Sequence, residues 1–262
     1  MKFGIRDGCL GLPWDSVFEA AAQLGFDGVE LDIGPDYKDT TWWRDGGTDE
    51  IRRWAGGAGC ELASVCLGAL WSISPASRDA DVRALARDLI TGTVLRCRDL
   101  NTRFILVPIT PAPDVPHEEA SERWASEMQL CAPAAEDAGV YLCLENVGAG
   151  CAQSARNLMR IIDAVASPFV KAYYDFGNGL SLGNDPAAEI RLLGAERIMQ
   201  MHAKDPGGQL LGQGRLDWDA VVSASNEIGY DGWMVLETPA TDDPPAAARH
   251  NLQFLKSRWP SD

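Results

Sequence analysis

What this sequence lacks narrows its function before any motif is read. No apolar run reaches the ~18 residues of a membrane-spanning helix. The first residues, MKFGIRDG, enter a strand-like run at once and carry no signal-peptide core, so a cytoplasmic protein is expected. Lysine and arginine number 23 against 38 aspartates and glutamates, for a net charge of −15, and nowhere do the cations cluster. Nucleic acid and anionic membrane are therefore not expected as partners, because both demand a concentrated basic surface. The segment RDGCLGLPW, which follows the first strand-like run, is not the glycine-rich turn that cradles a dinucleotide. The seven cysteines are odd in number and contain no CxxC pair, and Cys66 and Cys143 fall inside apolar runs. Buried, reduced thiols account for them better than a disulfide framework or a zinc knuckle. Histidine is scarce: His117, His202 and His250 are the only three.

What is present is a regular alternation. Short runs rich in Val, Ile, Leu, Met, Tyr or Trp have the length of buried strands. They cover Lys2–Arg6, Gly28–Asp32, Glu61–Gly68, Arg103–Pro108, Val140–Glu145, Val170–Asp175, Arg197–Asp205 and Trp233–Glu237. Helix-like segments separate them: Pro13–Leu24, Asp49–Gly57, Arg78–Leu100, Glu118–Ala138, Gln153–Val165, Pro186–Leu193, a stretch capped by Asp217 that reaches Ile228, and Pro244–Ser257. Pro13 suits an early helical position, Gly139 is a stop signal, and Pro133 is expected to kink its helix. Strands flanked by helices imply a parallel sheet. Eight such units in about 250 residues predict an α/β protein, a single (β/α)8 TIM barrel spanning 1–262, in preference to a doubly wound open sheet.

In such a barrel the active site lies at the C-terminal ends of the strands. Four consecutive strands end there in Glu145 (YLCLEN), Asp175 (KAYYDFGN), His202 (IMQMHAKD) and Glu237 (WMVLETP). Neighbouring strand ends are ~5 Å apart. Three carboxylates and one imidazole delivered to one end of a sheet make an oxygen-rich site for one divalent ion. Each carboxylate taken alone would read equally well as a helix cap or a solvated loop residue. Around the four, Lys204 is a candidate for a substrate oxygen or phosphate, or a surface lysine. Asp205 either orients His202 or caps a turn. Glu30 either supports the ligands from behind or forms a buried ion pair. Trp14 and Trp71 offer a sugar-stacking wall and, with Trp42 and Trp43, are expected to cap this face. Arg215 precedes the Asp217 cap and could reach a phosphate or carboxylate.

At these residues the chain resembles the xylose-isomerase-like barrels, a group of sugar phosphate isomerases and epimerases that includes ketose 3-epimerases and inosose dehydratase. The resemblance runs through GFDGVELD (Gly25–Asp32), LEN (Leu144–Asn146), DFGN (Asp175–Asn178), HAKD (His202–Asp205), GQGRLDW (Gly212–Trp218) and LETP (Leu236–Pro239). Each motif is weak alone; their order along nearly the whole chain is specific. The resemblance implies that Glu145, Asp175, His202 and Glu237 hold one divalent metal, with Mn²⁺ expected and Mg²⁺, Co²⁺ or Zn²⁺ as alternatives. It also implies that Glu145 and Glu237 exchange a proton with the carbon beside a carbonyl, through an enediolate. The expected partner is a small sugar or polyol ketone. Pairing of copies is common in the family, so a homo-oligomer is among the expectations.

Two positions depart from the ketose 3-epimerases. Cys151 stands where they carry a sugar-contacting glutamate, and Asn178 where they carry a histidine. Asn178 can still bond a substrate hydroxyl but cannot titrate. Two alternatives stay open. One is a lyase on the same site, either a dehydratase of an inosose-like ketone or an enzyme cleaving 3-oxo-C-glycosides, the latter implying a small partner subunit. The other is a non-catalytic barrel that binds a sugar or a protein. Three-zinc DNA repair, as in endonuclease IV of the same family, is excluded by the histidine count.

Overall fold

The structure, a computed structural model, describes residues 1–239 and 241–259. Eight parallel strands close into a barrel in the order of the sequence: β1 (Lys2–Arg6), β2 (Gly28–Asp32), β3 (Glu61–Cys66), β4 (Phe104–Pro108), β5 (Tyr141–Glu145), β6 (Val170–Asp175), β7 (Ile198–Ala203) and β8 (Trp233–Leu236). Closure is made by β8 pairing with β1, with Ile5 opposite Leu236. The (β/α)8 expectation is met. The helices wrap the outside: α1 (Trp14–Leu24), α2 (Gly47–Ala58), α3 (Ala80–Leu100), α4 (His117–Ala138), α5 (Ala155–Val165), α6 (Phe176–Ser181), α7 (Pro186–Leu193), α8 (Trp218–Glu227) and α9 (Pro244–Arg258).

Two cores follow from the period-2 alternation of strands. Outward residues such as Ile5, Leu31, Val65 and Ile105 meet the helices in the larger core. Inward residues Ala63, Cys66, Leu106, Cys143, Tyr173, Trp233 and Val235 fill the barrel itself. The ladder is irregular at two places. Register shifts by one residue between Val29 and Glu30 against β3, and between Ala172 and Tyr173 against β7. Such irregularities re-aim side chains, and both fall beneath the site described below.

Several boundaries differ from the sequence reading. β3 stops at Cys66, and Gly68–Trp71 forms a 3-10 turn instead of extending the strand. β7 stops at Ala203 and β8 at Leu236, so Lys204, Asp205 and Glu237 sit just beyond their strands. α3 begins at Ala80 because Asp79 accepts the amide of Asp81 as its N-cap. α4 runs through Pro133 as one helix. α6 was not expected from the sequence. All seven cysteines are free and buried. Among the described residues no helix is long and apolar enough to cross a membrane.

Candidate metal centre

The alternation that fills the barrel also builds its mouth. On β5 to β8 every second residue points inward, so Cys143 leads to Glu145, Tyr173 to Asp175, Gln200 to His202, and Val235 to Glu237. Asp175 and His202 are direct partners in the β6–β7 ladder. Glu237 is fixed one residue beyond β8 by its amide, which donates to the carbonyl of Ala203 at 3.1 Å. The result is one cluster: one donor atom from each of Glu145, Asp175, His202 and Glu237, all within 4.8 Å of one another. His202 Nδ1 lies 3.1 Å from Glu145 Oε1, 3.4 Å from Glu237 Oε2 and 3.8 Å from Asp175 Oδ2.

These residues fit one divalent ion. Ligands at ~2.2 Å on opposite sides of an ion are ~4.4 Å apart, so closing the cluster needs only sub-ångström movement. Asp175 shows which oxygen is available. Its Oδ1 accepts the amide of Asn178 at 2.7 Å and caps α6. Its Oδ2 is buried and has no hydrogen bond. Lys204 Nζ lies 2.7 Å from that oxygen, an ion contact without hydrogen-bond geometry, and donates to Glu237 Oε2 at 2.6 Å. Buried carboxylates need such cationic company, and a metal ion supplies it more strongly.

Asn146 ties the ends of β5 and β6 together. Its Nδ2 donates to the carbonyl of Asp175 at 2.8 Å, and its Oδ1 accepts the Asp175 amide at 2.9 Å. Asn178 is fastened in turn, its Nδ2 donating to the Asn146 carbonyl at 2.9 Å. A Cβ on Gly177 would stand 2.4 Å from Lys204 Cγ, so only glycine there lets the lysine stem lie across α6 toward the carboxylates.

The two glutamates have opposite surroundings. Burial pushes the Glu145 carboxyl up to about 7, against the hydrogen bond from His202 and with the charges of Glu237 and Asp175 adding to the rise. Burial works in the same direction on Glu237, but His202, Lys204 and Arg6 outweigh it and hold that carboxyl well below the usual range. Burial likewise raises Asp175, partly countered by Lys204. Burial disfavours charge on His202, yet the surrounding Glu237 and Glu30 carboxylates hold its proton affinity well above the usual imidazole value.

Arg6, at the end of β1, is the neighbour that sequence reading missed. Its Nη1 donates to Glu237 Oε1 and its Nη2 to Asp32 Oδ2 at 2.8 Å. The signal was a lone arginine at a strand end, IRDG, which gains meaning only once β1 lies against β8. Glu30 is fully buried under the cluster and faces His202 Nε2 at 2.9 Å. Asp205 is buried too, but it accepts the amides of Gly212 and Leu216 and the indole N–H of Trp218, so it organises the turn before α8 while Glu30 and Glu145 occupy the nitrogens of His202. Trp14 is held by a 2.7 Å bond from its indole N–H to Asp7. Trp71 stands 54 % exposed on the loop after β3, and Arg215 is exposed on the loop after β7. The expectation that Trp42 and Trp43 cap this face fails. Trp42 is fully buried and its carbonyl accepts from Arg96 Nε at 2.8 Å, while Trp43 packs under the same guanidinium, 4.0 Å from ring centre, so Arg96 ties this segment to α3. Cys151 is buried and lines a cavity of about 290 Å³ with His117, Ser121, Asn157 and Arg160.

Comparison with known proteins agrees with this architecture. Residues 18–258 match the family model of the xylose isomerase-like TIM barrel. The chain is 26 % identical over 252 residues to SgbU of Escherichia coli (strain K12), provisionally named an L-ribulose-5-phosphate 3-epimerase, covering 90 % of this chain and 88 % of that one. It is 25 % identical over 253 residues to the D-psicose 3-epimerase of Ruminiclostridium cellulolyticum, covering 90 % and 83 %. In three dimensions it superposes on a D-psicose 3-epimerase crystallised in the presence of D-fructose with a TM-score of 0.86 at 21 % identity, over 100 % of both chains.

Proposed function

The chain belongs to the xylose isomerase-like TIM barrel family, and from that premise we propose that it is a divalent-metal-dependent isomerase or epimerase of a small sugar or polyhydroxy ketone. The observation that carries the reading is the cluster of three carboxylates and one imidazole within 4.8 Å at the mouth of the barrel. Glu145, Asp175, His202 and Glu237 hold the ion in this reading. The oxygen-rich donor set favours Mn²⁺, with Mg²⁺, Co²⁺ and Zn²⁺ accommodated by the same atoms. A bound divalent ion would supply Lewis-acid polarisation of the substrate carbonyl, worth several kcal/mol of charge stabilisation.

The chain's own residues divide the proton work. Glu237, kept ionised by Arg6 and Lys204, is suited to take the proton from the carbon beside the carbonyl. Glu145, bonded among the described side chains to His202, is suited to return one on the other face. Lys204 is placed to bond a substrate oxygen; Trp14 and Trp71 are the candidate walls, and Arg215 the candidate anchor at the rim.

A lyase reading on the same site draws support from two positions. Asn178 is committed to the Asn146 backbone and Cys151 is buried, where ketose 3-epimerases carry a histidine and a glutamate. A substrate with a leaving group at the β-carbon would then eliminate instead of being reprotonated.

The test combines metal content and proton exchange. About one divalent ion per chain is expected by mass spectrometry of the wild type, and far less in Glu237→Gln and His202→Ala. Incubation with ketoses and 3-oxo-sugars in deuterated water should exchange a carbon-bound proton. A new ultraviolet-absorbing enone would select the lyase. Absence of metal, even after adding Mn²⁺ or Co²⁺, with sugar binding retained, would overturn the catalytic reading in favour of a binding barrel.

A further inference from the structure

Below its mouth the interior of this barrel is mainly apolar, with Tyr173, Cys66, Leu106, Cys143 and Val235 beside the uncharged amide of Gln200. One acid breaks that pattern. Glu30 has no exposed surface and enters from β2, the far side of the barrel from the four ligands. An ionised carboxylate in such a place costs several kcal/mol unless hydrogen bonds and charge offset it. Here three groups from three strands do so. Ser64 Oγ of β3 donates to Oε2 at 2.7 Å, and Tyr173 OH of β6 donates to the same oxygen at 3.0 Å. Oε1 faces His202 Nε2 at 2.9 Å. The Tyr173 ring also packs against the imidazole, 4.5 Å between centres.

The backbone is bent to make this arrangement. Both register shifts in the barrel fall at the residues that meet: one begins at Glu30, which it aligns with Ser64, and the other begins at Tyr173. With regular ladders, the alternation would place Ala63 opposite Glu30 and Met199 opposite Tyr173. Two irregularities converging on one buried carboxylate mark a built feature.

We propose that Glu30 is a positioning residue of the metal centre: it accepts the Nε2 proton of His202 and thereby commits Nδ1, with its lone pair, to the ion. This rests on the reading of Glu145, Asp175, His202 and Glu237 as ligands. Neutral imidazole carries one proton, and the ring nitrogen that keeps it cannot ligate. A carboxylate at Nε2 fixes that choice, fixes the ring plane and makes Nδ1 a stronger donor. Ser64 and Tyr173 hold Oε2, so the carboxylate cannot rotate away from the imidazole. Glu30 itself touches neither ion nor substrate.

The experiment is calorimetric titration of the metal-free full-length protein with Mn²⁺, comparing wild type with Glu30→Gln, Ser64→Ala and Tyr173→Phe. Glu30→Gln keeps shape and an acceptor but removes the charge; its Mn²⁺ affinity should fall about 10- to 100-fold. Ser64→Ala and Tyr173→Phe loosen the carboxylate without removing it and should each weaken Mn²⁺ by a few fold, so the question is answered even if Glu30→Gln does not fold. A second readout uses the Zn²⁺-loaded proteins: the wild type should show a downfield imidazole N–H proton resonance, moved upfield in Glu30→Gln. Equal Mn²⁺ affinity and an unchanged resonance in the variants, with wild type binding one ion, would overturn the role of Glu30 alone. No ion bound by wild type would overturn the metal centre itself, and this role with it.

Discussion

The two halves of the barrel contribute differently to the same site. β5, β6, β7 and β8 each bring one candidate ligand to the mouth, namely Glu145, Asp175, His202 and Glu237. β1, β2 and β3 bring none. They bring Arg6, Glu30, Asp32 and Ser64, which bond to the ligands or to one another. The difference shows in the proton affinities. Burial raises the Glu145 carboxyl; His202, Lys204 and, through the β1–β8 closure, Arg6 together hold the Glu237 carboxyl down. One half of the barrel offers the candidate donor atoms, and the other joins His202 and Lys204 in setting their charge and orientation.

If that division is right, the largest losses come from the ligating half. Asp175→Asn keeps the α6 cap, because an amide oxygen still accepts the Asn178 amide, but removes the charge at Oδ2. Metal affinity should fall at least about 100-fold, beyond the 10- to 100-fold typical of residues behind the ligands. Titration with Mn²⁺ followed by mass spectrometry measures it. A fall no larger than that of Glu30→Gln would erase the distinction between the halves.

The second largest effect separates Glu145 from Glu237 by sign, in the metal-free protein. The folded-state value of Glu145 is about 7 against 4.5 for an ordinary glutamate. The folded chain therefore keeps a proton that the unfolded chain has released, and stability falls as pH rises between about 4.5 and 7. Glu237 is depressed, so its contribution is present above about 4.5 and is lost as pH falls through the folded value. Glu145→Gln should flatten the decline in metal-free stability from pH 5 to 7.5 by on the order of 2 kcal/mol. Glu237→Gln should flatten it less, since it removes only the share of the Glu145 rise that the Glu237 charge supplies. Chemical denaturation across that range, with chelator present, measures both.

The same division explains what could be read from the sequence. The half that carries the candidate ligands was legible as a cluster because its signals are local: an apolar run, then one acid or histidine, four times over. The supporting half was not, because its meaning lies in pairings between distant strands. Arg6 and Glu237 are 231 residues apart and meet only when β8 closes on β1. Ser64 and Tyr173 read as ordinary strand residues until the two register shifts bring them to Glu30. Glu30 and Lys204 were visible as candidates, but nothing local chose between support and salt bridge, or between substrate contact and surface. α6 was missed because Gly177 and Gly179 read as breakers. In the fold they leave space, their absent Cβ positions lying 2.4 Å from Lys204 Cγ and 2.6 Å from the Tyr174 hydroxyl. Asp205 carried two readings in the sequence, and the choice between them lies in amides of the GQGRLDW loop that reach it only in the fold.

Arg6→Met probes the supporting half at its most direct contact. It removes the guanidinium that bonds Glu237 and Asp32 while leaving all four ligands in place. A charge-assisted hydrogen bond of this kind is worth about 1.5–3 kcal/mol, and Lys204 remains to hold the other oxygen of Glu237. The expected loss in kcat/KM is therefore about tenfold, with metal content near wild type and the acid limb of the pH–rate profile moved to higher pH. Loss of metal together with activity would instead place Arg6 among the groups that hold the ion.

The smallest effect should come from the rim, where neither half of the barrel is involved. Trp71 is 54 % exposed on the turn after β3, and no aromatic partner or hydrogen bond of its indole accompanies it among the described residues. Its removal should cost the fold almost nothing, because an exposed side chain carries little burial energy. If it forms a wall for the sugar, Trp71→Ala should raise KM about threefold and leave kcat, metal content and melting temperature unchanged, as befits an aromatic contact of ~0.5–1.5 kcal/mol. A change in kcat with KM constant would mean that the rim reaches the reacting carbons, and the separation between a catalytic mouth and a binding rim would have to be redrawn.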